Sequence, residues 1–377
     1  MVGSSIGNAE AATISPDHSG AQSGMLDCVS MSITIDRLFD DPSLYFHSFD
    51  GDHARFVEMD REHYARSIFF DRRIVCSTDK VYRVPLDLLL EVLTDRAPPP
   101  PRLNFIHHVA HCGSTLLARA LDRGSASLVI REPFHLRQMA VRIRPSVNAS
   151  SRPDLQRLLL SLSLTMLGKR YVAGTPVVVK GNVPVSMIGE AIDAADPGRA
   201  GILLHFPLED YLAAVLRSPD HSRWVNSVTG ELRLGRDYAV DNLEDLSTPQ
   251  RAAALWLSLV SHYAHILGVN PAMRSLDANQ FFDQPAATIG ASAELFSIPM
   301  TTEDAVAIAG GPLFKTYAKN PEYSYDAAQR VERREEARRD LSQAFTEARS
   351  WLESRRDFSP MPIALERPLL GDPVPLL

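Results

Sequence analysis

The chain has 377 residues, of which 45% are hydrophobic, so it is long enough to bury a large core. Its formal net charge of −7 gives no electrostatic support to non-specific nucleic-acid binding. The three cysteines are an odd number without a CxxC pair, which argues against a disulfide framework and against a structural zinc site.

The N-terminal region predicts a soluble, cytoplasmic protein. Residues 1–36 contain no Lys or Arg and no apolar run of signal-peptide length. No later stretch has the roughly 18 uncharged apolar residues of a membrane span, so no membrane contact is expected. Residues 1–31 are rich in small and polar residues, which predicts a flexible tail.

A small N-terminal cap is the next predicted unit. Residues 32–97 mix aromatic clusters with an amphipathic stretch from Leu86 to Leu93, which favours a small α+β cap. Residues 98–101 are four consecutive prolines that cannot continue a helix, so they are expected to link the cap to a core over residues 102–310.

Residues 103–122 predict a buried strand, a tight turn and a helix, in that order. The apolar run that includes Phe105 and Ile106 is typical of a parallel strand covered on both faces. Leu116 and Leu117 begin a helical pattern. The turn between them, residues 110–115, therefore ends at a helix N-terminus, where free backbone N–H groups suit a bound anion.

The residues of this turn distinguish two kinds of phosphate loop. A nucleotide-hydrolysing loop has Gly-Lys-Ser/Thr at its end, but here Gly113 is followed by Ser114 and Thr115, so a magnesium-dependent hydrolase is not expected. Residues 110–117 instead resemble the loop of the sulfotransferases, usually Pro-Lys-Ser-Gly-Thr-Thr-Trp-Leu, which takes 3′-phosphoadenosine 5′-phosphosulfate. His111 stands where that family has Lys or Arg.

The remaining core alternates strands with helices. Strands are predicted at 128–130, 176–180 and 201–206, and helices at 153–168 and through Met187 to Ile192. This alternation predicts an α/β fold with a central parallel sheet between two helical layers. Ligands of such sheets bind beyond the carboxyl ends of the strands. We expect the polar residues that end the strands to share that rim: His107, His108, Glu132, Lys180 and His205.

Two further segments complete the predicted fold. A helix is expected over 249–267, and residues 273–299 then resemble the sulfotransferase order of strand, helix and a second helix that ends near Pro299. Residues 311–377 are predicted to be a C-terminal helical extension, because charges alternate on a helical pattern from about Asp326.

The resemblance implies a division of chemical roles. Sulfuryl transfer needs a cradle for the donor, a cation near the bridging oxygen and a base for the acceptor. Lys180 matches the family's strand-end lysine, while Asn182 replaces its histidine base. Glu132 is our first candidate for the base and His108 the second; a salt-bridged glutamate and a structural histidine are the alternative interpretations.

The donor's 3′-phosphate has fewer matching ligands. The family pattern of Arg, Pro and Ser falls on His205, Pro207 and Ala213, so Arg217, Lys315 or Lys319 is expected to supply charge. The residues proposed to contact the donor are His111, Cys112, Gly113, Ser114, Thr115, Leu116, His205, Arg217 and Lys319.

Other readings of the loop stay open. His111 and Cys112 are typical of a tyrosine phosphatase, but six residues rather than five separate Cys112 from Arg119. A buried, inert Cys112 is the simpler interpretation. The histidines around the loop lack the spacing of a zinc motif, so no metal is expected.

The function expected from the resemblance is therefore sulfuryl transfer to a hydroxyl or amine of a small-molecule or glycan acceptor. The rival is a P-loop protein that has lost catalysis and serves as a nucleotide-binding or structural module, which the replacements at 111, 182, 205 and 213 favour. The acceptor pocket is expected in variable loops and the cap, so neither the acceptor's identity nor the oligomeric state follows from the sequence.

Overall fold

A computed structural model of the chain describes residues 13–14, 33–143, 153–234, 243–317, 320–324, 327–355 and 361–377. The predicted flexible tail therefore lies outside the described residues, except for Thr13 and Ile14. These two residues pair antiparallel with Ile33 and Thr34.

The described strands and helices are numbered in chain order. The strands are β1 (Thr13–Ile14), β2 (Ile33–Thr34), β3 (Leu44–Asp50), β4 (His53–Glu58), β5 (Val81–Pro85), β6 (Leu103–His108), β7 (Leu128–Arg131), β8 (Val177–Lys180), β9 (Gly201–His205), β10 (Met273–Asp277), β11 (Thr316–Tyr317) and β12 (Asn320–Ser324). The helices are α1 (Ile35–Asp40), α2 (Arg61–Arg66), α3 (Leu86–Arg96), α4 (Ser114–Ala120), α5 (Phe134–Ile143), α6 (Pro153–Leu167), α7 (Val183–Ser186), α8 (Gly189–Ala195), α9 (Leu208–Leu216), α10 (Pro219–Glu231), α11 (Thr248–Val269), α12 (Ala278–Asp283), α13 (Pro285–Leu295), α14 (Thr302–Gly310), α15 (Ala327–Asp340) and α16 (Ser342–Glu353).

The central sheet has five parallel strands in the order β10-β9-β6-β8-β7. The strand β6 is in the middle, where Phe105 pairs with Val179 on one side and Ile106 with Ile202 on the other. All four residues of β8 and all five of β9 are buried, as expected for strands covered on both faces. Helices pack on both sides, so the predicted three-layer α/β fold with a central parallel sheet is confirmed.

The order of the strands explains where a ligand can enter. From β6 the chain crosses to β7 at one edge, whereas from β9 it continues to β10 at the other edge. The two connections diverge at the carboxyl ends of β6 and β9, which leaves a crevice there. The loop that follows β6 lies beside this crevice.

The cap is a three-stranded antiparallel sheet of β3, β4 and β5 with α1 to α3 around it. Its aromatic residues, such as Phe46 and Phe56, share one hydrophobic cluster with Val177 and Val179 of the central sheet. The cap and one face of the sheet are therefore held together by a continuous core. The predicted boundaries at 98–101 and 310 stay predictions.

One buried arginine fixes the cap to the edge of the sheet. Arg131 of β7 is 1% exposed and pairs with Asp122 at 3.0 Å. Its guanidinium also donates to the carbonyl oxygens of Tyr64, Ala65 and Ser67, where α2 ends. Because the helix end has free carbonyl groups, the arginine satisfies acceptors that would otherwise be buried without donors.

The other face of the sheet is covered by α9, α10, α11 and α16. The helix α11 begins with a capping box of Ser247 and Gln250 and contains Trp256, whose indole donates to the Phe206 carbonyl at 3.0 Å. The expectation that no stretch has the length and composition of a membrane span was wrong for α11, but two thirds of its apolar window (67%) is buried inside the fold, as in a core helix.

The described residues of the predicted C-terminal helical extension include two helices, α15 and α16. Residues 361–377 then run along the outer edge of β10, with Ser275 donating to the Arg367 carbonyl at 3.0 Å and accepting from the Leu369 N–H at 2.7 Å. Leu208 donates to the Leu376 carbonyl at 2.9 Å. The segment therefore covers a sheet edge that would otherwise be open.

Candidate active site

The loop after β6 has an unusual backbone. Ala110, His111 and Gly113 have φ angles of 80°, 51° and 85°, all in the left-handed region. For Ala110 and His111 this conformation is strained by about 1–2 kcal/mol each. Backbone N–H groups of such turns point into a shared concavity that suits an anion.

His108 supports the loop from below. Its Nδ1 accepts from the Ala110 N–H at 3.0 Å, and its Nε2 lies 2.9 Å from the Gly181 carbonyl, to which it donates. An imidazole with one accepting and one donating nitrogen is neutral. Both nitrogens are thus occupied in holding the ends of β6 and β8, and His108 is placed to position the loop rather than to take an acceptor's proton.

Gly113 is closely packed. A Cβ atom at this position would lie 2.8 Å from Cζ of Phe282, and the φ of +85° disfavours other residues independently. The glycine is therefore required both by its conformation and by the phenylalanine of α12 beside it.

The residues on either side of Gly113 point into the core. Cys112 is fully buried, and burial raises the pKa of its thiol to about 11, although the charge of Lys180 opposes the rise. The thiol is therefore protonated near neutral pH, which removes the thiolate that a phosphatase needs. Ser114, Thr115 and Leu116 are 4%, 3% and 9% exposed. Among the described residues, Thr115 Oγ1 has no hydrogen-bond partner.

Lys180 and Glu132 meet at the ends of neighbouring strands. The Lys180 ammonium donates to Glu132 Oε1, and the two side chains are 1% and 18% exposed. The Glu132 N–H also donates to the Lys180 carbonyl at 2.7 Å, which extends the pairing of β7 and β8 by one residue. Glu132 itself has a φ of 57°, the strained left-handed conformation again. The predicted cation and the predicted base are thus in direct contact.

The cap contributes two side chains beside this ion pair. Lys180 Nζ lies 5.7 Å from the ring centre of Phe69, and the Arg73 guanidinium lies 4.0 Å from the centre of the same ring. The pKa of Arg73 is raised, first by its hydrogen bonds with Asp71 and also by the charge of Glu132. The cap loop therefore forms one wall of the candidate site.

Helix α10 forms the other wall. The His111 ring packs against His221 with ring centres 4.0 Å apart, and against the edge of Trp224 at 5.6 Å. Arg217 Nε donates to His221 Nδ1 at 3.1 Å. His221, which the sequence did not indicate, therefore connects His111 and Arg217, two of the predicted donor-binding residues.

Other predicted residues are placed less favourably. His205 is buried, and desolvation lowers its pKa to about 4, so it is neutral at pH 7 and gives no charge to a phosphate. His107 is fully buried, its ring stacks on Phe105, and burial lowers its pKa far below the usual value. Lys315 is exposed, and Lys319 lies outside the described residues.

Asn182, which replaces the family's histidine, has a structural partner. Its side chain caps α7 by accepting from the Val185 N–H at 3.4 Å. Among the described residues, no group of three His, Cys, Asp or Glu side chains is arranged to hold a metal ion. A separate cleft in the cap is lined by Arg37, Glu58 and Tyr82, among others, and shares no residue with the rim.

The sequence did not indicate His221, Trp224 and Phe282, nor Phe69 and Arg73 of the cap, as site residues. The start of α10 was visible in the Ser218-Pro219 pair, a common N-cap and first helical residue, and His221 follows three positions later. That signal locates the helix, but nothing in it says that the helix packs on a loop about 110 residues earlier.

No protein-family model matches this chain, and no curated protein matches its sequence. The solved structures that are similar to it include two sulfotransferases. The sulfotransferase domain from the curacin biosynthetic pathway has 13% identity and a TM-score of 0.40, over 65% of this chain and 99% of that one. The sulfotransferase from Alicyclobacillus acidocaldarius has 12% identity and a TM-score of 0.34, over 68% of this chain and 95% of that one. Likeness at this level carries no argument about function, which depends on the residues of the chain itself.

Proposed function

We propose that the chain transfers a sulfuryl group from 3′-phosphoadenosine 5′-phosphosulfate to a hydroxyl or amine of a small-molecule or glycan acceptor. The observation that carries the proposal is the juxtaposition at the carboxyl edge of the sheet. There the strained loop of residues 110–113 lies at the end of the central strand, and the Lys180–Glu132 ion pair joins the ends of the next two strands. Strain retained in three places at one edge is typical of a functional site.

Each part of this arrangement has a use in the proposed reaction. When bound, the donor supplies an activated sulfuryl group whose leaving phosphate gains negative charge. The backbone N–H groups of the loop are oriented to hold anionic oxygens, and the Lys180 ammonium is a fixed positive charge next to them. The Glu132 carboxylate takes the proton of the acceptor hydroxyl or amine. Phe69 and the burial of the ion pair limit the access of water.

The residues fit the two ends of the donor unequally. The 5′ end has the loop and Lys180, as described. At the 3′ end His205 is neutral and buried, so the charge for that phosphate falls to Arg217, which is exposed at the end of α9, or to Lys319. The predicted donor contacts of Ser114, Thr115 and Leu116 are then made by their backbone N–H groups, because their side chains are buried.

A second candidate is a nucleotide-binding or structural module without catalysis. One observation favours it: Lys180 is only 1% exposed and its charge is already neutralised by Glu132. In such a module the ion pair would serve only to join β7 and β8.

Calorimetry with 3′-phosphoadenosine 5′-phosphate, and separately with ATP and magnesium, distinguishes these functions. We expect the bisphosphate to bind and ATP not to compete, and Lys180→Met to weaken bisphosphate binding by about tenfold to a hundredfold. The matched control is Lys80→Met, which removes a lysine that contacts Glu58 at 3.7 Å in the cap. Preference for ATP, or binding to neither ligand, would contradict the proposal.

Catalysis is tested with Glu132→Gln, which keeps the shape of the side chain. With phenol, sugar and amine acceptors, we expect this variant to bind the bisphosphate but to lose about 10²- to 10⁴-fold in transfer rate. If the wild type binds the bisphosphate and transfers sulfate to none of these acceptors, the module without catalysis becomes the better description.

A further inference from the structure

The contacts of His221 cannot all be satisfied at once. Its Nδ1 lies 3.1 Å from Nε of Arg217, which is a donor, and 3.0 Å from the carbonyl oxygen of Ala214, which is an acceptor. With a proton on Nδ1 the imidazole donates to Ala214 and opposes the N–H of Arg217. In the neutral ring the N–H of Arg217 favours the tautomer with its proton on Nε2, which accepts from Arg217 and leaves the carbonyl oxygen without this bond; the protonated ring always has a hydrogen on Nδ1. The two states each satisfy one neighbour.

The state of His221 bears directly on the loop. Its ring is in contact with His111, which occupies the position of the family's cationic loop residue, at a centre distance of 4.0 Å. The edge of Trp224 contacts His111 at 5.6 Å and limits where that ring can lie. The backbone of His221 is fixed as well, since its N–H donates to the capping oxygen of Ser218 at 3.4 Å. A change in protonation therefore acts on Arg217 and on the charge beside the loop, not on the position of the helix.

We infer that His221 is a proton-controlled switch for the anion site: protonation of its ring moves the Nδ1 hydrogen bond to Ala214, releases Arg217 towards the bound donor and adds a positive charge beside His111. This inference rests on the proposed donor site at the loop. The charge that the loop lacks at position 111 is supplied from α9 and α10. Because the anion favours the protonated state, donor binding takes up a proton from solvent, and binding is stronger at lower pH.

The charged groups around His221 are consistent with this coupling. In the described part of the chain they include Arg217 from the end of α9, His111 from the loop and, on α10 itself, Asp220 and Arg223, which form an exposed ion pair with each other. The arginine that contacts the ring opposes its protonation while no anion is present. A bound anion reverses this balance, since it attracts both groups.

The test measures proton uptake directly. The wild type is titrated with 3′-phosphoadenosine 5′-phosphate at a pH of about 7 in buffers of different ionisation enthalpy, and the slope gives the protons taken up per ligand. The key variant is His221→Phe, which keeps a ring against His111 but has no Nδ1. The control is His265→Gln, which removes a histidine of α11 that contacts Glu190 of α8. Protonation of the ligand contributes to all three proteins, whereas the protonation of His111 responds to the ring at position 221, whose centre is 4.0 Å away, so the uptake that the variant loses belongs to the His111–His221 pair.

We expect the wild type and the control to take up more protons than His221→Phe, by up to about one per ligand. The affinity of the wild type relative to His221→Phe should rise by roughly tenfold between pH values of about 8 and 6. His221→Gln, which fits the half-buried position without a ring, should lose the uptake as well. Equal uptake in the wild type and both variants overturns the switch but leaves the donor site standing. Absence of bisphosphate binding in the wild type overturns the donor site, and the switch with it.

Discussion

His135 gives a sharp prediction about stability in acid. It lies on α5 between the cap and the sheet, fully buried, and its ring stacks on Phe46 with centres 4.5 Å apart. Neither ring nitrogen has a hydrogen-bond partner among the described residues. Burial lowers its pKa from the usual 6.5 to about 3, and the nearby charges of His47 and Lys169 act in the same direction. The folded protein thus holds this imidazole neutral where an unfolded chain would protonate it.

The magnitude follows from linkage. Above a pH of about 6.5 the imidazole is neutral in both states, so its contribution to stability is fully present. As the pH falls, the unfolded chain binds the proton first and the free energy of unfolding decreases, by about 2 kcal/mol at a pH near 5 and by up to about 5 kcal/mol near the folded pKa. His135→Phe keeps the ring stack and removes the titration, so it should lose about 2 kcal/mol less than the wild type between pH values near 7.5 and 5.

Urea unfolding of both proteins at the two pH values measures this difference. The comparison is internal to each protein, so a fixed cost of fitting the larger ring cancels. The other buried histidines, His107 and His205, contribute equally to both proteins and do not affect the difference. Equal losses of stability in the wild type and the variant would refute the reasoning, because they would mean that His135 binds its proton without unfolding.

Three further predictions concern the remaining buried charges and the loop. Burial lowers the pKa of Lys169 to about 7, so as the pH rises from about 7 to 10 this lysine loses its proton in the folded state before it does so in the unfolded chain. The free energy of unfolding of the wild type should therefore increase by up to roughly 4 kcal/mol over this range, and Lys169→Met should show no such increase in urea unfolding. Gly113→Ala should lower the free energy of unfolding by about 2–4 kcal/mol, since a left-handed φ and contact with Phe282 both oppose the methyl group. The control Gly124→Ala has a φ of +61° but no neighbouring atoms, so it should lower the free energy of unfolding by only about 1 kcal/mol. Equal losses in the two variants would argue against the contact with Phe282. Arg131→Leu should cost about 3–5 kcal/mol in thermal unfolding and make the cap sensitive to proteolysis, because it leaves buried carbonyl groups without their donor and removes one of the two arginines that pair with Asp122, the other being Arg61; a loss below about 1 kcal/mol would contradict this.

The sequence predicted the layers of the fold because they depend on local patterns. The run Val177–Val179 is β-branched and buried, and the strand, turn and helix around Gly113 are contiguous in the chain. The antiparallel sheet of the cap was predicted only as a mixed unit, since its aromatic residues give no clean alternation. The path of residues 361–377 along β10 could not be predicted at all, because that segment has no periodicity and its partner, Ser275, is about 90 residues away.

For the site, sequence reasoning named residues but not their relationships. Glu132 and Lys180 were expected on one rim, yet only the register of β7 and β8 brings them into an ion pair. The direction of the His107 side chain could not be predicted. Every residue of β6 except Asn104 is buried, so the strand has no alternation of polar and apolar residues that would indicate which face of the sheet a side chain takes. The stacking of His111 on His221 depends on how α10 docks, which is a long-range property.

The covered edge of β10 has a consequence for biosynthesis. The five parallel strands are complete once Asp277 has been synthesised, but the residues that bond to Ser275 at the edge of β10, from Leu365 to Leu369, come about 90 positions later. At roughly 5–20 residues per second, a ribosome needs about 5–20 s to make them. During this interval the nascent chain carries a parallel sheet with an open edge, the type of surface that other extended chains join. We therefore expect folding on the ribosome to stop at an intermediate that chaperones recognise, and emergence of residues 361–377 from the ribosome to be the step that ends this exposure.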